Sequence, residues 1–174
     1  MRLAAALAPA RLAAIAFVLA LGLVAVAVES APLGLEAGAW PSPDLLFCII
    51  AYWSLRRPDA VPLVAVFAAG LGRDLLTDAA VGAGALGLAL AAEALKSAGR
   101  PLARRSPWAE WLAVAGTLAA MLLFQWLLVL LALTHPPYLV DLARQWLLTV
   151  ALYPPLAAIF HWLLRIRRAP AEEG

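Results

Sequence analysis

The stretch LAVAGTLAAMLLFQWLLVLLALT, Leu112–Thr134, decides the fold class, because it contains no charged residue from end to end. An α-helix needs about 20 apolar residues to cross the hydrocarbon core of a bilayer, so this segment predicts a transmembrane helix. The rest of the chain agrees: 65% of its 174 residues are hydrophobic, 14% are charged, and the mean hydropathy is +0.89. Soluble domains are about 45–50% apolar and about 25% charged, so this composition excludes a soluble domain.

Five further apolar segments flank this one. The six predicted helices cover residues 12–28, 40–55, 59–76, 79–95, 112–134 and 146–164. We predict an all-α polytopic membrane bundle of about six transmembrane helices, which forms a single membrane domain over residues 1–174. The first segment is longer than the apolar core of a signal peptide, which favours a retained helix. Helix 2 is short, so a re-entrant segment is the alternative, and Trp40, Tyr52 and Trp53 are its predicted interfacial anchors.

The basic residues predict the orientation. The pI is near 9.1, but these residues lie in small clusters between apolar runs, which excludes a nucleic-acid-binding face. Most of the thirteen Lys and Arg residues fall on one side of the six-helix layout: Arg2, Arg11, Arg56, Arg57, Lys96, Arg100, Arg104, Arg105, Arg165, Arg167 and Arg168. The positive-inside rule places this side, with both termini, in the cytoplasm. Glu93 lies three residues before Lys96, which predicts an ion pair on helix 4.

The polar residues inside the predicted spans are the first candidates for a site, because such groups are costly in hydrocarbon. Gln125, near the centre of helix 5, is predicted to bond a neighbouring helix, with a substrate contact as the alternative. The densest cluster is Arg73, Asp74 and Asp78, at the end of helix 3. Arg73 is predicted to extend to the outer interface. Asp74 either pairs with another helix or caps helix 4, and the cluster either closes the hairpin or contacts a partner or ligand.

Small residues predict close packing of helices 3 and 4, since helices in lipid associate through close contact and polar groups. Gly84 and Gly87 lie on two rows of helix 4, and Ala68 and Gly72 have the same spacing on helix 3. Only residues 77–78 separate the two predicted helices. We therefore expect a tightly packed hairpin.

Pro154 and Pro155 interrupt helix 6 and remove two backbone donors. The first interpretation is a simple kink. The second is a point at which helix 6 opens to a partner or a cavity. In either case the freed backbone groups need partners within the protein.

Patterns typical of enzymes and metal sites are missing from the sequence. It has no Gly-x-Ser-x-Gly, P-loop or His-Glu-x-x-His segment, and its two histidines are predicted on opposite sides of the membrane. The single cysteine, Cys48, can form neither an intrachain disulfide nor a metal cage. We predict no enzymatic activity, no cofactor and no metal site.

Several segments resemble MreD, the rod-shape-determining membrane protein family of bacteria. Pro43–Leu46 (PDLL) opens helix 2 after a proline-bearing loop. Phe67–Leu75 (FAAGLGRDL) is similar to the Gly-Leu-x-x-Asp signature of the family, with Gly70, Leu71 and Asp74 at the matching positions. A glycine-containing run follows, and the size and six-span layout are similar over nearly the whole chain. Arg73, beside the aspartate, departs from the expected pattern.

The resemblance implies a non-enzymatic scaffold subunit of the cell-wall elongation machinery in the bacterial inner membrane. Its implied partners are an MreC-like protein, together with MreB, RodA and a penicillin-binding transpeptidase. The family also resembles in fold the substrate-binding membrane subunits of vitamin transporters. The alternative function is therefore a small-molecule-binding transporter subunit, whose pocket Gln125 and the Pro154-Pro155 break would line.

Overall fold

The computed structural model describes residues 2–29, 42–77, 82–102, 107–132 and 137–164. These residues form six α-helices and one 3-10 turn, with no strand among them, which confirms the predicted all-α bundle. The helices are α1 (Arg2–Glu29), α2 (Leu45–Arg56), α3 (Leu63–Leu76), α4 (Ala83–Leu102), α5 (Pro107–Leu131) and α6 (Leu139–Leu164), and the 3-10 turn is Pro58–Ala60.

Three helices are long and apolar enough to cross a membrane: α1 over Leu12–Glu29, α5 over Pro107–Leu131 and α6 over Leu139–Leu163. The chain is therefore a membrane protein. α2 and α3 have 12 and 14 residues. At 1.5 Å per residue they measure only about 18 and 21 Å, short of the roughly 30 Å of hydrocarbon. That six helices all span the bilayer stays a prediction.

Contacts at the two ends of α2 show which ends of α1, α3 and α5 lie beside it. At its N-terminus, which we call the Asp44 end, Asp44 pairs with Arg73 near the end of α3. Glu29, the last residue of α1, accepts a hydrogen bond there from the amide of Leu46. At the other end of α2, the Arg56 end, Arg56 pairs with Glu110 in the first turn of α5.

α2 is the most buried helix of the part of the bundle that the structure describes. Residues 46–54 of this helix are all buried, as expected for a helix that is apolar on every face. The predicted interfacial anchors Tyr52 and Trp53 are 0% and 4% exposed, so that prediction was wrong. The Trp53 ring packs edge-on against Phe17 of α1, and the Tyr52 ring packs against Phe160 of α6. The aromatic rings fill the core, while Trp40 lies outside the described residues.

α3 and α4 form the predicted close hairpin, but through a different glycine. A Cβ atom on Gly70 would lie 2.6 Å from the Ala85 Cα atom, so the two helices touch there. A Cβ on Gly72 would meet nothing within 4 Å, and Ala68 is exposed, so the predicted row on α3 was wrong. The connection is also longer than two residues: α4 begins at Ala83, and Gly82 before it adopts a positive φ of 92°.

α6 continues through Pro154 and Pro155 without ending. In an unbroken helix the carbonyl of Val150 would accept the amide N–H of residue 154, which proline lacks. The indole Nε1 of Trp111 on α5 donates to this carbonyl instead, at 3.0 Å. The backbone group freed by Pro154 therefore has a partner on a neighbouring helix, and both prolines are exposed on the outside of the bundle.

Candidate functional site

The Asp44 end of the bundle holds a buried ion pair between α2 and α3. Nη1 of Arg73 donates to Oδ2 of Asp44 at 2.7 Å, and the two side chains are 12% and 3% exposed. The prediction that Arg73 extends to the outer interface was therefore wrong. The guanidinium turns inward because a carboxylate on the adjacent helix offers the partner that a buried charge requires.

Asp74 joins α3 to α4, and one of the two roles predicted for it is confirmed. Its Oδ2 atom accepts the backbone amides of Gly82 and Ala85, both at 3.0 Å, so it caps the N-terminus of α4 across the turn. The residue is 1% exposed. Its other oxygen, Oδ1, lies 4.0 Å from Nε of Arg73.

Because Gly84 has no side chain, the carboxylate of Asp74 can occupy the space beside it. A Cβ atom at this position would lie 2.0 Å from Oδ1 of Asp74. Any larger residue would therefore force the capping side chain to move. This explains structurally why a small residue stands there. The remaining member of the predicted cluster, Asp78, lies outside the described residues.

Two further carboxylates, those of Glu29 and Asp44, cap α2, although neither was a predicted site residue. Oδ1 of Asp44 accepts the amide of Phe47 at 2.7 Å, and Oε1 of Glu29 accepts the amides of Leu45 and Leu46. Asp44, directly before an apolar run, carried a readable N-cap signal. Glu29 carried none, because its contact crosses to another helix.

Thr149 of α6 completes the cluster. Its Oγ1 atom accepts the backbone amide of Asp44 at 2.9 Å and donates to the carbonyl of Gln145 at 2.8 Å. Thr149 is 1% exposed. The N-terminus of α2 is therefore held by side chains from both α1 and α6.

A partly open cavity of about 320 Å³ lies beside these groups, and we call it the outer pocket. All six helices or their immediate ends contribute to it. Its charged and amide-bearing lining residues are Glu29, Asp44, Arg73, Asp74, Gln125 and Gln145. Four charged side chains around one cavity are unusual in a chain with 14% charged residues. The volume lies at the lower end of the range for small-molecule sites.

Gln125 lines this pocket, but it does not make the predicted bond to a neighbouring helix through its amide nitrogen. Among the described residues Nε2 has no hydrogen-bond partner, although it is buried. It lies against α4 where a Cβ atom on Gly87 would be only 3.0 Å away. Gly87 therefore admits the Gln125 side chain. The structure does not place Pro154 or Pro155 in this pocket.

A second polar cluster lies at the Arg56 end. Nη1 of Arg56 donates to Oε1 of Glu110 at 2.7 Å, and the hydroxyl of Tyr153 donates to the same oxygen at 2.9 Å. The guanidinium also lies 4.2 Å from the centre of the Tyr52 ring, within cation–π distance. This cluster ties α2, α5 and α6 together.

Further polar residues lie outside these two clusters. The predicted pair of Glu93 and Lys96 is confirmed, at 2.7 Å. Within the described ranges, no group of three or more His, Cys, Asp or Glu residues is arranged to hold a metal ion. Cys48 is buried in the core and reduced.

Comparison with protein-family models, with curated proteins and with solved structures finds no match. The likeness to MreD therefore stays a prediction from the sequence. The structure places the three residues that carry this likeness as follows: Gly70 lies at the α3–α4 contact, the partly buried Leu71 follows it, and Asp74 caps α4.

Proposed function

We propose that this chain is a non-enzymatic scaffold subunit of the bacterial cell-wall elongation machinery, which binds an MreC-like membrane protein. It lies in the bacterial inner membrane and helps to regulate cell shape and lateral peptidoglycan synthesis. MreB, RodA and a penicillin-binding transpeptidase are its proposed further associates. The proposal combines the sequence resemblance with the role of the signature residues in the fold.

The observation that carries this proposal is that Asp74 caps α4. A catalytic carboxylate must reach a substrate. The Asp74 residue is 1% exposed, and its Oδ2 atom accepts the backbone amides of Gly82 and Ala85 at the start of α4. The carboxylate of the Gly-Leu-x-x-Asp segment thus fixes the geometry of a helix hairpin. A rigid hairpin with fixed outer surfaces suits a subunit that holds other membrane proteins.

The proposed orientation places the Arg56 end in the cytoplasm and the Asp44 end outside. Arg56 and Arg57 lie at the first of these ends, and Lys96 is in the second half of α4, which runs towards it. The positive-inside rule assigns such residues to the cytoplasmic side. The outer pocket then faces the extracytoplasmic space.

A pulldown in mild detergent tests the proposal. The tagged chain would be purified from its native membrane and its companions identified by mass spectrometry. We expect an MreC-like protein to be enriched with the wild type and lost with Asp74→Ala, which removes the cap of α4. Asp141→Asn is the matched control, because Asp141 is a half-exposed carboxylate outside the pocket. Recovery of no cell-wall protein with the wild type would refute the scaffold role.

The second candidate is a small-molecule-binding subunit of a vitamin-type transporter, and the outer pocket is the observation that favours it. A cavity of about 320 Å³ whose lining includes four charged and two amide side chains can hold a compact ligand. The same pulldown separates the two functions. Enrichment of an ATPase module without cell-wall proteins would support transport.

A further inference from the structure

The outer pocket has an unbalanced charge. Its lining contains the carboxylates of Glu29, Asp44 and Asp74 and a single guanidinium, that of Arg73. These leave two formal negative charges. The N-termini of α2 and α4 point their amides at the carboxylates, and each is equivalent to about half a positive charge. When all three carboxylates are ionised, about one negative charge therefore stays uncompensated, and a bound cation would stabilise this ionised state.

Among the described residues, Arg73 is the only Lys or Arg that lines the pocket. The connecting segments at residues 30–41, 78–81 and 133–136 contain neither Lys nor Arg. Arg144 lies near this end on α6, but it interacts with Asp141, at 3.6 Å, and does not line the pocket. The excess of carboxylates over guanidinium groups is thus a property of the described lining of the pocket.

Glu29 is the carboxylate best placed to receive a cation. Both oxygens of Asp44 are engaged, by Phe47 and Arg73, and Asp74 is almost completely buried. Glu29 uses only Oε1 for the α2 amides among the described residues, so Oε2 is left to accept a further donor. The side-chain amides of Gln125 and Gln145 add neutral hydrogen-bonding groups around the same cavity.

We propose that the outer pocket binds a singly charged organic cation, an ammonium or guanidinium nitrogen on a short apolar stem, through Glu29. A metal ion fits less well, because the described carboxylates do not converge on one point. The cationic nitrogen comes either from a free amine or from a Lys or Arg side chain of a partner protein. This inference rests on the pocket and does not depend on the scaffold role.

The test uses the purified full-length chain in lipid nanodiscs and follows thermal unfolding by tryptophan fluorescence. The probes are n-butylammonium and n-butylguanidinium, which imitate Lys and Arg side chains, and n-butylurea, a neutral match to the second. A ligand that binds only the folded state raises the unfolding temperature. We expect at least one cation to raise it and the urea to leave it unchanged. Equal shifts with the guanidinium and the urea would overturn the proposal.

The Glu29→Gln variant tests whether the charge of Glu29 is what binds the cation. The glutamine carbonyl can still accept the amides of Leu45 and Leu46, so the cap of α2 is kept while the charge is removed. We expect the cation concentration for half of the maximal shift to rise at least about tenfold, the value of one charge-assisted hydrogen bond. Asp141→Asn, which changes a carboxylate outside the pocket, should bind as the wild type does. Unchanged binding by a folded Glu29→Gln variant would refute the role of Glu29, and if this variant does not fold, the wild-type comparison decides.

A pulldown with the Glu29→Gln variant distinguishes the two sources of the cation, a free amine and a side chain of a partner protein. If the nitrogen belongs to a partner, Glu29→Gln lowers both probe binding and the recovery of that partner. If the ligand is a free amine, the variant loses probe binding and keeps the partner. A wild-type chain that binds the probes but recovers no cell-wall protein would leave this inference standing and refute the scaffold role alone.

Discussion

Replacing Gly70 with alanine should destabilise the α3–α4 hairpin, whereas the same change two residues later should not. The new Cβ atom at position 70 would lie 2.6 Å from the Ala85 Cα atom and 3.2 Å from its Cβ atom. Carbon atoms in contact prefer about 3.5–4.0 Å. Since the nearest atom belongs to the backbone, no side-chain rotation relieves the clash. The helices must separate by about 1 Å.

The expected magnitude follows from two opposing terms. Inserting an extra methyl group into a packed contact costs about 1–3 kcal/mol. Replacing glycine by alanine inside a helix returns up to about 1 kcal/mol. The difference is about 0–2 kcal/mol, and because the clash is with the backbone, Gly70→Ala should lower the free energy of unfolding by an amount near the upper end, about 2 kcal/mol. Gly72→Ala meets nothing within 4 Å and should raise it by up to about 1 kcal/mol.

The assay is equilibrium unfolding of both variants and the wild type in the same mild detergent, followed by tryptophan fluorescence. The two alanine variants differ from one another only in where the methyl group points, so helix propensity and hydrophobicity are matched. Changes of opposite sign support the close contact at Gly70. Equal effects of the two substitutions would refute it, because they would mean that position 70 is as open as position 72.

Three further predictions concern the other contacts. Trp111→Phe removes the donor to the Val150 carbonyl and should cost about 1 kcal/mol of unfolding free energy; no measurable loss would contradict this role. Glu110→Ala leaves a buried guanidinium without its carboxylate and should cost about 3–5 kcal/mol in the same assay, so a loss below about 1 kcal/mol would argue against a buried pair. Single cysteines at the exposed positions Tyr138 and Arg57 should react with a membrane-impermeant maleimide from opposite sides of the membrane, and reaction from one side would refute the alternating layout.

Features that depend on neighbouring residues could be predicted from the sequence. The apolar segments predicted the six helices but not all of their bounds: α1 begins at Arg2 and α6 at Leu139, ten and seven residues before the predicted starts, and α4 ends at Leu102, seven residues after its predicted end. The three-residue spacing predicted the Glu93–Lys96 pair. The short distance between Asp74 and the start of α4 made a cap across the turn one of two explicit alternatives, and the structure selects it. In each case the interacting residues lie within about three helical turns of one another in the sequence, so the local sequence pattern is enough to predict the contact.

Features that depend on distant residues could not be predicted. The distribution of basic residues predicts Arg56 on the cytoplasmic side but identifies no partner for it. Its partner Glu110 lies 54 residues away, before the predicted start of helix 5. Asp44 and Thr149, which meet at the Asp44 end, are 105 residues apart. Nothing in either local stretch identifies the other.

The burial of α2 illustrates a limit that is specific to membrane proteins. In water an apolar stripe shows which side of a helix faces the core, but lipid is as apolar as a protein interior, so a buried helix and a lipid-facing helix have the same composition. Polar residues carry the information instead. Asp44, Asp74, Glu110 and Thr149 are all at most 6% exposed, since in lipid each would lack a partner. A helix of 12 residues, about 18 Å long, cannot reach both membrane surfaces by itself, so the acid before its first turn and the base in its last turn need partners on neighbouring helices.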